Sequence, residues 1–133
     1  MAELSEHAQE LLRNPNVGFL ATVDPSGWPQ VTPVWVDVQD GRILVNTAIG
    51  RIKDRNVRGD PRVAISVAAS NNPWDKIDVR GRIVDIVEGD EAERHIDRLA
   101  QKYIGQDTYP FRAPGERRVK LVIEPERVHE MPR

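Results

Sequence analysis

The feature that most constrains the fold is a succession of short apolar segments, each of strand length and each followed by turn-forming residues. Residues 17–23 are mostly apolar and end at Asp-Pro-Ser-Gly at 24–27, where proline presets φ and glycine tolerates a positive φ. Residues 28–38 alternate apolar and polar side chains, and Asp-Gly at 40–41 is a strong signal for a tight β-hairpin. Because alternating segments and hairpin turns follow one another directly, the sequence predicts antiparallel strands.

The same period of two continues along the chain and predicts six strands. Pro29 and Pro33, in the second predicted strand, favour a sheet edge or a bulge, because proline cannot donate a hydrogen bond to a neighbouring strand. Gly81, in the fifth, favours a bend or a bulge. The predicted strands are residues 17–23, 28–38, 42–47, 62–69, 76–87 and 117–124.

Three segments between the strands predict helices. Residues 5–14 repeat apolar side chains at the spacing of one helix face, and Pro15 ends this helix. Residues 48–60 predict a loop that leads into a short helix. Asp-x-x-Glu at 90–93 is typical of a capping box, and Gly105 closes the helix that it opens. The apolar stripes are Leu4, Ala8, Leu11 and Leu12 in the first helix and Ala92, Ile96, Leu99, Ala100 and Tyr103 in the last.

These elements predict a mainly β fold, a β-barrel with two or three short helices. A closed barrel is favoured, because so many short strands would otherwise expose unpaired edges. An open α+β sandwich is the alternative. A chain of 133 residues predicts one domain over residues 1–133. Since a barrel of this size has a filled interior, a large ligand is expected in a surface groove or between subunits.

Composition excludes several classes of function. The net charge is −2, which argues against general nucleic-acid binding. No apolar run approaches the roughly 20 residues that span a membrane, and no secretory signal precedes the first helix. Cysteine is absent, so disulfides, thiol catalysis and thiolate-bound metals are excluded, and a cytoplasmic location is expected.

The charge is concentrated in one segment, residues 51–62, which contains five basic and two acidic side chains. A predicted strand ends at Asn46 and Thr47, and a loop with Gly50 leads into a helix start that carries Arg51 and Lys53. Helix N-termini and arginine forks suit phosphate, so this segment is the leading candidate for a phosphate site. The alternative is a solvated basic face, because Arg51, Arg55 and Arg58 fall at helical spacing.

Thr32-Pro33-Val34-Trp35 is a second candidate, since a hydroxyl, strand backbone and an aromatic side chain together could line a flat ring. The alternative places Trp35 in the core or an interface. Trp74 lies in an Asn-Asn-Pro-Trp loop, where a large aromatic marks an interface or a ligand wall, or else packs in the core.

No set of residues in the sequence provides its own catalytic chemistry. The three histidines, His7, His95 and His129, lack metal-ligand spacing, so no metal site is predicted. No nucleophile elbow or acid–base dyad is present, and no catalytic residue is assigned. If the protein is an enzyme, we expect a cofactor to carry the chemistry.

Four motifs together resemble one family of known fold. They are Thr-x-x-x-Arg-x-Lys-x-x-Asn at 47–56, Asp-Pro-Arg-Val at 60–63, Arg-Gly-Arg at 80–82 and Glu-Pro-Glu-Arg-Val at 124–128. The chain resembles the pyridoxamine 5′-phosphate oxidase-like split β-barrel superfamily, in which FMN-binding members share the fold. It is most similar to the B-type branch of coenzyme F420-dependent oxidoreductases. The resemblance runs from about Pro15 to Val128.

The resemblance implies a homodimer with two cofactor sites in grooves between the subunits. Arg51 and Lys53 would contact the cofactor phosphate, with Asn56 nearby. The segments 32–35 and 46–49 would flank the cofactor ring, and Trp74 would close the site from the partner subunit. The implied cofactor-binding residues are Thr32, Pro33, Val34, Trp35, Asn46, Thr47, Ala48, Ile49, Arg51, Lys53, Asn56 and Trp74.

The activity that the resemblance implies is a reductase. Reduced coenzyme F420 would pass hydride from its ring C5 to an electron-poor small-molecule substrate. The alternatives are an FMN-binding oxidoreductase of the same superfamily, a non-catalytic flavin or deazaflavin carrier, and a basic docking face for an acidic protein. A pyridoxamine phosphate oxidase in the strict sense is disfavoured, because the chain is short and lacks that enzyme's C-terminal basic motif.

Overall fold

Seven antiparallel strands form one sheet in the computed structural model, which describes residues 2–131. The order of the strands in the sheet is β2-β1-β5-β6-β7-β4-β3. None of the helices within residues 2–131 is long and apolar enough to cross a membrane. The elements are α1 (Glu6–Arg13), β1 (Gly18–Val23), β2 (Pro29–Val34), β3 (Val36–Gln39), β4 (Arg42–Ala48), α2 (Ile52–Gly59), β5 (Arg62–Ala69), β6 (Asn72–Val87), α3 (Asp90–Ile104) and β7 (Arg118–Glu130).

The second predicted strand is in fact two strands that lie at opposite ends of the sheet. It breaks at Trp35, so that β2 pairs with β1 while β3 pairs with β4. Six strands were predicted for this reason where seven are found. Pro29 and Pro33 both lie in β2, an edge strand, as their missing N–H groups favour.

The two ends of the sheet approach each other at Gly18, the first residue of β1. A Cβ atom added at Gly18 would lie 2.9 Å from Cγ1 of Val36 in β3 and 3.3 Å from Cδ1 of Ile65 in β5. The sheet therefore curls until its first and last parts pack together, and the polypeptide at Trp35 connects the two edges. This arrangement confirms the predicted mainly β, split-barrel fold with short helices.

The interior of the curled sheet is filled by aliphatic side chains. Ile65, Val67, Val79, Leu121 and Ile123 are among those fully or almost fully buried. Each buried side chain of this size contributes about 1.5–3 kcal/mol to folding. This interior is packed core, so a large ligand must bind outside it.

Helix α1 packs one apolar face on this core, as its spacing predicts. Leu4, Ala8, Leu11 and Leu12 are all buried. The Ser5 hydroxyl accepts a hydrogen bond from the Ala8 N–H at 3.0 Å and so caps the helix.

Helix α3 buries most of its predicted stripe, but the predicted capping box is wrong. Gly89 is the N-cap residue and makes no side-chain cap. Glu93 does not cap its own helix, because its carboxylate accepts hydrogen bonds from the Arg118 N–H at 2.8 Å and from the Arg112 side chain at 3.2 Å. Gly105 ends the helix in the left-handed conformation with φ of 70°, as predicted.

Two side chains of α3 hold the chain where it passes from β2 to β3. The Tyr103 hydroxyl accepts a hydrogen bond from the Val36 N–H at 2.9 Å and donates to the Asn16 carbonyl at 2.7 Å. The Lys102 ammonium donates to the carbonyls of Leu12 and Val36. The backbone groups that no neighbouring strand can satisfy are therefore satisfied by α3.

The bulge predicted at Gly81 is present, and it allows the backbones of β6 and β7 to approach closely. Their register shifts between Arg80 and Gly81, and a Cβ atom at Gly81 would lie 2.6 Å from the Glu124 carbonyl oxygen. We expect Gly81→Ala to lower the free energy of unfolding by about 2 kcal/mol, because a backbone carbonyl cannot give way as a side chain can. Urea unfolding followed by circular dichroism measures this change.

Gly59→Ala is the matched control, since a Cβ atom there meets nothing within 4 Å at the last residue of α2. Alanine should leave stability unchanged or raise it by less than about 1 kcal/mol. Equal effects of the two substitutions would show that the close approach at Gly81 does not matter.

Candidate functional site

A groove of about 290 Å³ opens beside the split in the barrel, where β2, β4, α2 and the loop before β7 meet. Seven residues predicted to bind a cofactor line it: Pro33, Val34, Trp35, Asn46, Thr47, Arg51 and Lys53. The remaining lining residues are Val17, Ile96, Tyr109, Phe111 and Arg118. The two segments that the sequence singled out separately therefore share one groove.

Three cationic side chains converge at one end of this groove with a single carboxylate between two of them. Arg51 donates from Nη2 to Glu116 Oε1 at 3.3 Å, and Arg118 donates from Nη1 to Glu116 Oε2 at 3.0 Å. Lys53 has no salt bridge within the described part of the chain. Burial lowers the pKa of Lys53, and repulsion from Arg51 and Arg118 lowers it further. An anion placed here would relieve that repulsion.

The turn before α2 brings the basic segment to the groove. Gly50 has φ of 90°, and its N–H donates to the buried Asp54 carboxylate at 2.9 Å. Arg51 is the N-cap residue of α2, and Lys53 lies in the first turn, at the positive end of the helix dipole. Arg58 pairs with Asp54 and Glu88 and is not among the groove-lining residues, while Arg51, Arg55 and Arg58 are all exposed.

Asn46 lies on the floor of the groove and holds Arg118 in place. Its side-chain oxygen accepts a hydrogen bond from Arg118 Nε at 2.9 Å, while its amide group donates to the Ala92 carbonyl and to Nδ1 of His95, both at 3.0 Å. Asn46 is therefore fully engaged with the protein. Its neighbour Thr47 differs, because the buried Thr47 hydroxyl has no hydrogen-bond partner among residues 2–131. A buried hydroxyl without a partner in a cationic groove suits a ligand oxygen.

An aromatic wall forms the other end of the groove. Trp35 stacks on Tyr103 with ring centroids 5.3 Å apart, and its edge contacts Tyr109 at 5.9 Å. Phe111 extends the wall to the groove mouth, 5.6 Å from Tyr109 and largely exposed. The guanidinium of Arg118 lies over the Tyr109 ring at 5.0 Å. The cationic and aromatic parts are thus continuous.

The structure does not bring every predicted residue to the groove. Ala48 is buried, and Ile49 packs against the core. The buried Asn56 amide donates to the Thr22 hydroxyl at 3.0 Å. Thr32 lies on β2 and is not among the lining residues. Trp74 stands near the start of β6 with 69% of its surface exposed.

Sequence reasoning missed Tyr109, Phe111 and Arg118. Tyr109 and Phe111 lie in the loop before β7, which has no periodicity to assign them a direction. In the sequence, Arg118 lies at the start of a predicted strand, and nothing there indicates a role in binding. In the structure its side chain is almost completely buried at the start of β7. A loop that places two aromatic side chains two residues apart was the available signal.

His95 lies behind the groove floor and is kept neutral by its surroundings. It is 1% exposed, and its Nδ1 accepts the hydrogen bond from Asn46, so the proton resides on Nε2. Burial lowers the pKa of His95 from 6.5 to about 3, and repulsion by neighbouring cations adds to the effect. Those cations are Arg98, Lys120, Lys102 and Arg118.

Comparisons with known proteins agree with this fold. The family model described as pyridoxamine 5′-phosphate oxidase matches residues 4–132. A solved structure of an F420 reductase is 34% identical, with a TM-score of 0.80, over 91% of this chain and 94% of that one. A conserved hypothetical protein from Mycobacterium tuberculosis is 26% identical, with a TM-score of 0.69, over 96% of this chain and 82% of that one.

Proteins with lower sequence identity share the fold. General stress protein 26 from Bacillus anthracis is 17% identical, with a TM-score of 0.70, over 95% of this chain and 92% of that one. No curated protein matches the sequence. Fold and groove together define a split β-barrel protein with a cationic and aromatic groove at the split. The chain belongs to the pyridoxamine 5′-phosphate oxidase family, a family of oxidoreductases.

The neutral state of His95 predicts how stability depends on pH. The unfolded chain takes up a proton at this histidine as the pH falls below 6.5, whereas the folded protein resists protonation down to about pH 3. The contribution of neutral His95 to the free energy of unfolding is therefore fully present above pH 6.5 and is lost progressively between pH 6.5 and 3. We expect the urea midpoint to fall as the pH is lowered from 7 to 4, and to fall less steeply in His95→Gln. Parallel curves for the two proteins would contradict this assignment.

Proposed function

We propose that this protein is an oxidoreductase that binds the deazaflavin coenzyme F420 in the groove and reduces an electron-poor small molecule. One observation carries the proposal: Arg51, Lys53 and Arg118 line the same end of the groove beside an aromatic wall, and Glu116 bridges Arg51 and Arg118. The 34% identity to an F420 reductase supports the choice of coenzyme.

The cationic end suits a phosphate group. Three positive charges and one carboxylate leave a net charge of +2, and each charged hydrogen bond to a phosphate oxygen contributes about 1.5–3 kcal/mol. Arg118 is already oriented by Asn46 and by the Tyr109 ring, so little entropy is lost when it binds a ligand. The Thr47 hydroxyl provides a further polar contact at the same place.

The rest of the groove suits a planar ring. Pro33 and Trp35 line one side, and Val17, Ile96 and Tyr109 add apolar surface. The coenzyme, when bound, supplies hydride chemistry that no side chain here provides. The contribution of the protein is to anchor the phosphate, orient the ring against apolar walls and exclude water from the reacting face.

FMN is the alternative cofactor, and a non-catalytic flavin or deazaflavin carrier is the alternative role. Both are supported by the same groove, because FMN also combines a phosphate with a flat ring. Binding of F420 and FMN, measured separately by fluorescence titration, distinguishes the cofactors. Turnover with an added reductant and an electron-poor substrate distinguishes the enzyme from the carrier.

The proposed functional unit is a homodimer. The outer face of the sheet carries Phe19 and Val31, which are 52% and 61% exposed. Ala21 and Ala64 line the same surface depression. Pro33 pairs with Phe19 in the sheet and lines the groove, so this apolar face continues to the groove edge. A second copy on this face would border the cofactor site. Closure of that site by Trp74 of the partner subunit stays a prediction.

Loss of Lys53 tests the phosphate site. We expect Lys53→Ala to weaken cofactor binding by about 1.5–3 kcal/mol, the range for a charged hydrogen bond. The measurement is the dissociation constant for F420, and in parallel for FMN, from fluorescence titration. Arg42→Ala is the control, because it removes one positive charge at an ion pair with Glu124, away from the groove. An unchanged dissociation constant in Lys53→Ala would refute the phosphate assignment.

A charge on the apolar face tests the dimer. We expect wild type to sediment as a dimer and Phe19→Asp to sediment as a monomer, because a buried carboxylate without a partner costs several kcal/mol. Ile104→Asp adds the same charge to an exposed apolar residue at the end of α3 and should remain dimeric. A wild-type protein that stays monomeric at every concentration would end the proposal of a shared site.

A further inference from the structure

The Glu116 carboxylate bridges two of the cationic side chains that line the groove, Arg51 and Arg118. Its two carboxylate oxygens are divided, Oε1 to Arg51 at 3.3 Å and Oε2 to Arg118 at 3.0 Å. The Glu116 side chain is only 8% exposed. A carboxylate that bridges two guanidinium groups offers them anionic acceptor oxygens of the kind that a phosphate group also offers.

We propose that Glu116 is a specificity-determining residue, an internal counter-anion that competes with the ligand phosphate for Arg51 and Arg118. This inference rests on the proposed anion site. Under it, a ligand must carry a group that binds the two arginines better than a carboxylate does. Phosphate esters satisfy this condition with up to two negative charges and three acceptor oxygens.

Glu116 is not needed to position Arg118. That guanidinium is held independently by the Asn46 side-chain oxygen at 2.9 Å and lies over the Tyr109 ring. Arg51 is fixed through its backbone as the N-cap residue of α2, and half of its side chain is exposed. The Arg118 guanidinium therefore stays at the groove when the Glu116 carboxylate leaves it, while Arg51 keeps its backbone position and its guanidinium is released for a ligand.

The chain around Glu116 allows the carboxylate to move without disturbing the sheet. Glu116 precedes β7, which begins at Arg118, and its N–H closes a turn onto the Ala113 carbonyl at 3.0 Å. The preceding Gly115 has φ of 75°, a conformation that glycine adopts without strain. Displacement of one side chain therefore leaves the strand pairing of β4 with β7 intact.

Glu116→Gln tests competition directly, because it removes the charge and keeps the size. The probes are FMN and riboflavin, which share a ring and differ in the phosphate. We expect the dissociation constant for FMN to fall about three- to tenfold in Glu116→Gln, the gain from removing one competing ion pair. Riboflavin affinity should not change, which also reports that the groove is intact.

The control variant is Glu124→Gln, which removes one negative charge at the ion pair with Arg42, outside the groove. FMN affinity should be the same in this variant as in wild type. Tightening in both variants would indicate a general charge effect and would overturn the role of Glu116.

The remaining outcomes separate this inference from the proposed function. Weaker or unchanged FMN binding in Glu116→Gln would make Glu116 a positioning or neutral residue, while the loss in Lys53→Ala would still support the anion site. If wild type binds neither F420 nor FMN better than riboflavin, the anion site itself fails, and competition at Glu116 fails with it.

Discussion

Side chains of α3 form hydrogen bonds with the backbone of Val36, the first residue of β3, and the arrangement of the groove depends on these bonds. Tyr103 and Lys102 of α3 satisfy the Val36 N–H and carbonyl, so the chain can leave one edge of the sheet and join the other within a single residue. That residue is Trp35, which then stacks on Tyr103 and faces the groove. Tyr103 and Lys102 stabilise the chain where β2 and β3 separate, and the groove lies at this separation on the surface of the filled barrel.

The groove brings positive charges close together, and a bound anion would offset part of the resulting repulsion. Arg118 is almost completely buried and Lys53 is partly buried, and repulsion from Arg51 and Arg118 adds to the desolvation that lowers the pKa of Lys53. Asn46 links this charge to the neutral His95 behind it, so the polar network continues from the groove floor into the packing of α3. Glu116 balances part of the charge from within the chain. Stability and binding are therefore coupled through the same few contacts.

Local patterns predicted most elements of the fold, and they failed where distant residues decide. The first helix was predicted because its apolar spacing and the proline that ends it are local to the segment, and the structure adds the Ser5 cap. The break at Trp35 has no local signal, because the groups that stabilise it come from α3, where Tyr103 lies 67 residues beyond Val36. The capping box failed for a similar reason, since Glu93 binds Arg118 of β7 instead of its own helix N-terminus.

Residue order alone indicates that a basic segment follows a strand and opens a short helix, which is why Arg51 and Lys53 could be predicted as a phosphate site. Charge and helix start are local properties of residues 48–56. The other side chains that join them depend on how the chain folds. Arg118 reaches the groove because β7 pairs with β4 in a register that sets Arg118 opposite Ala48, and Asn56 is withdrawn because it bonds with Thr22 of β1. Strand register and side-chain hydrogen bonds across the sheet depend on the packed core, and no local pattern encodes them.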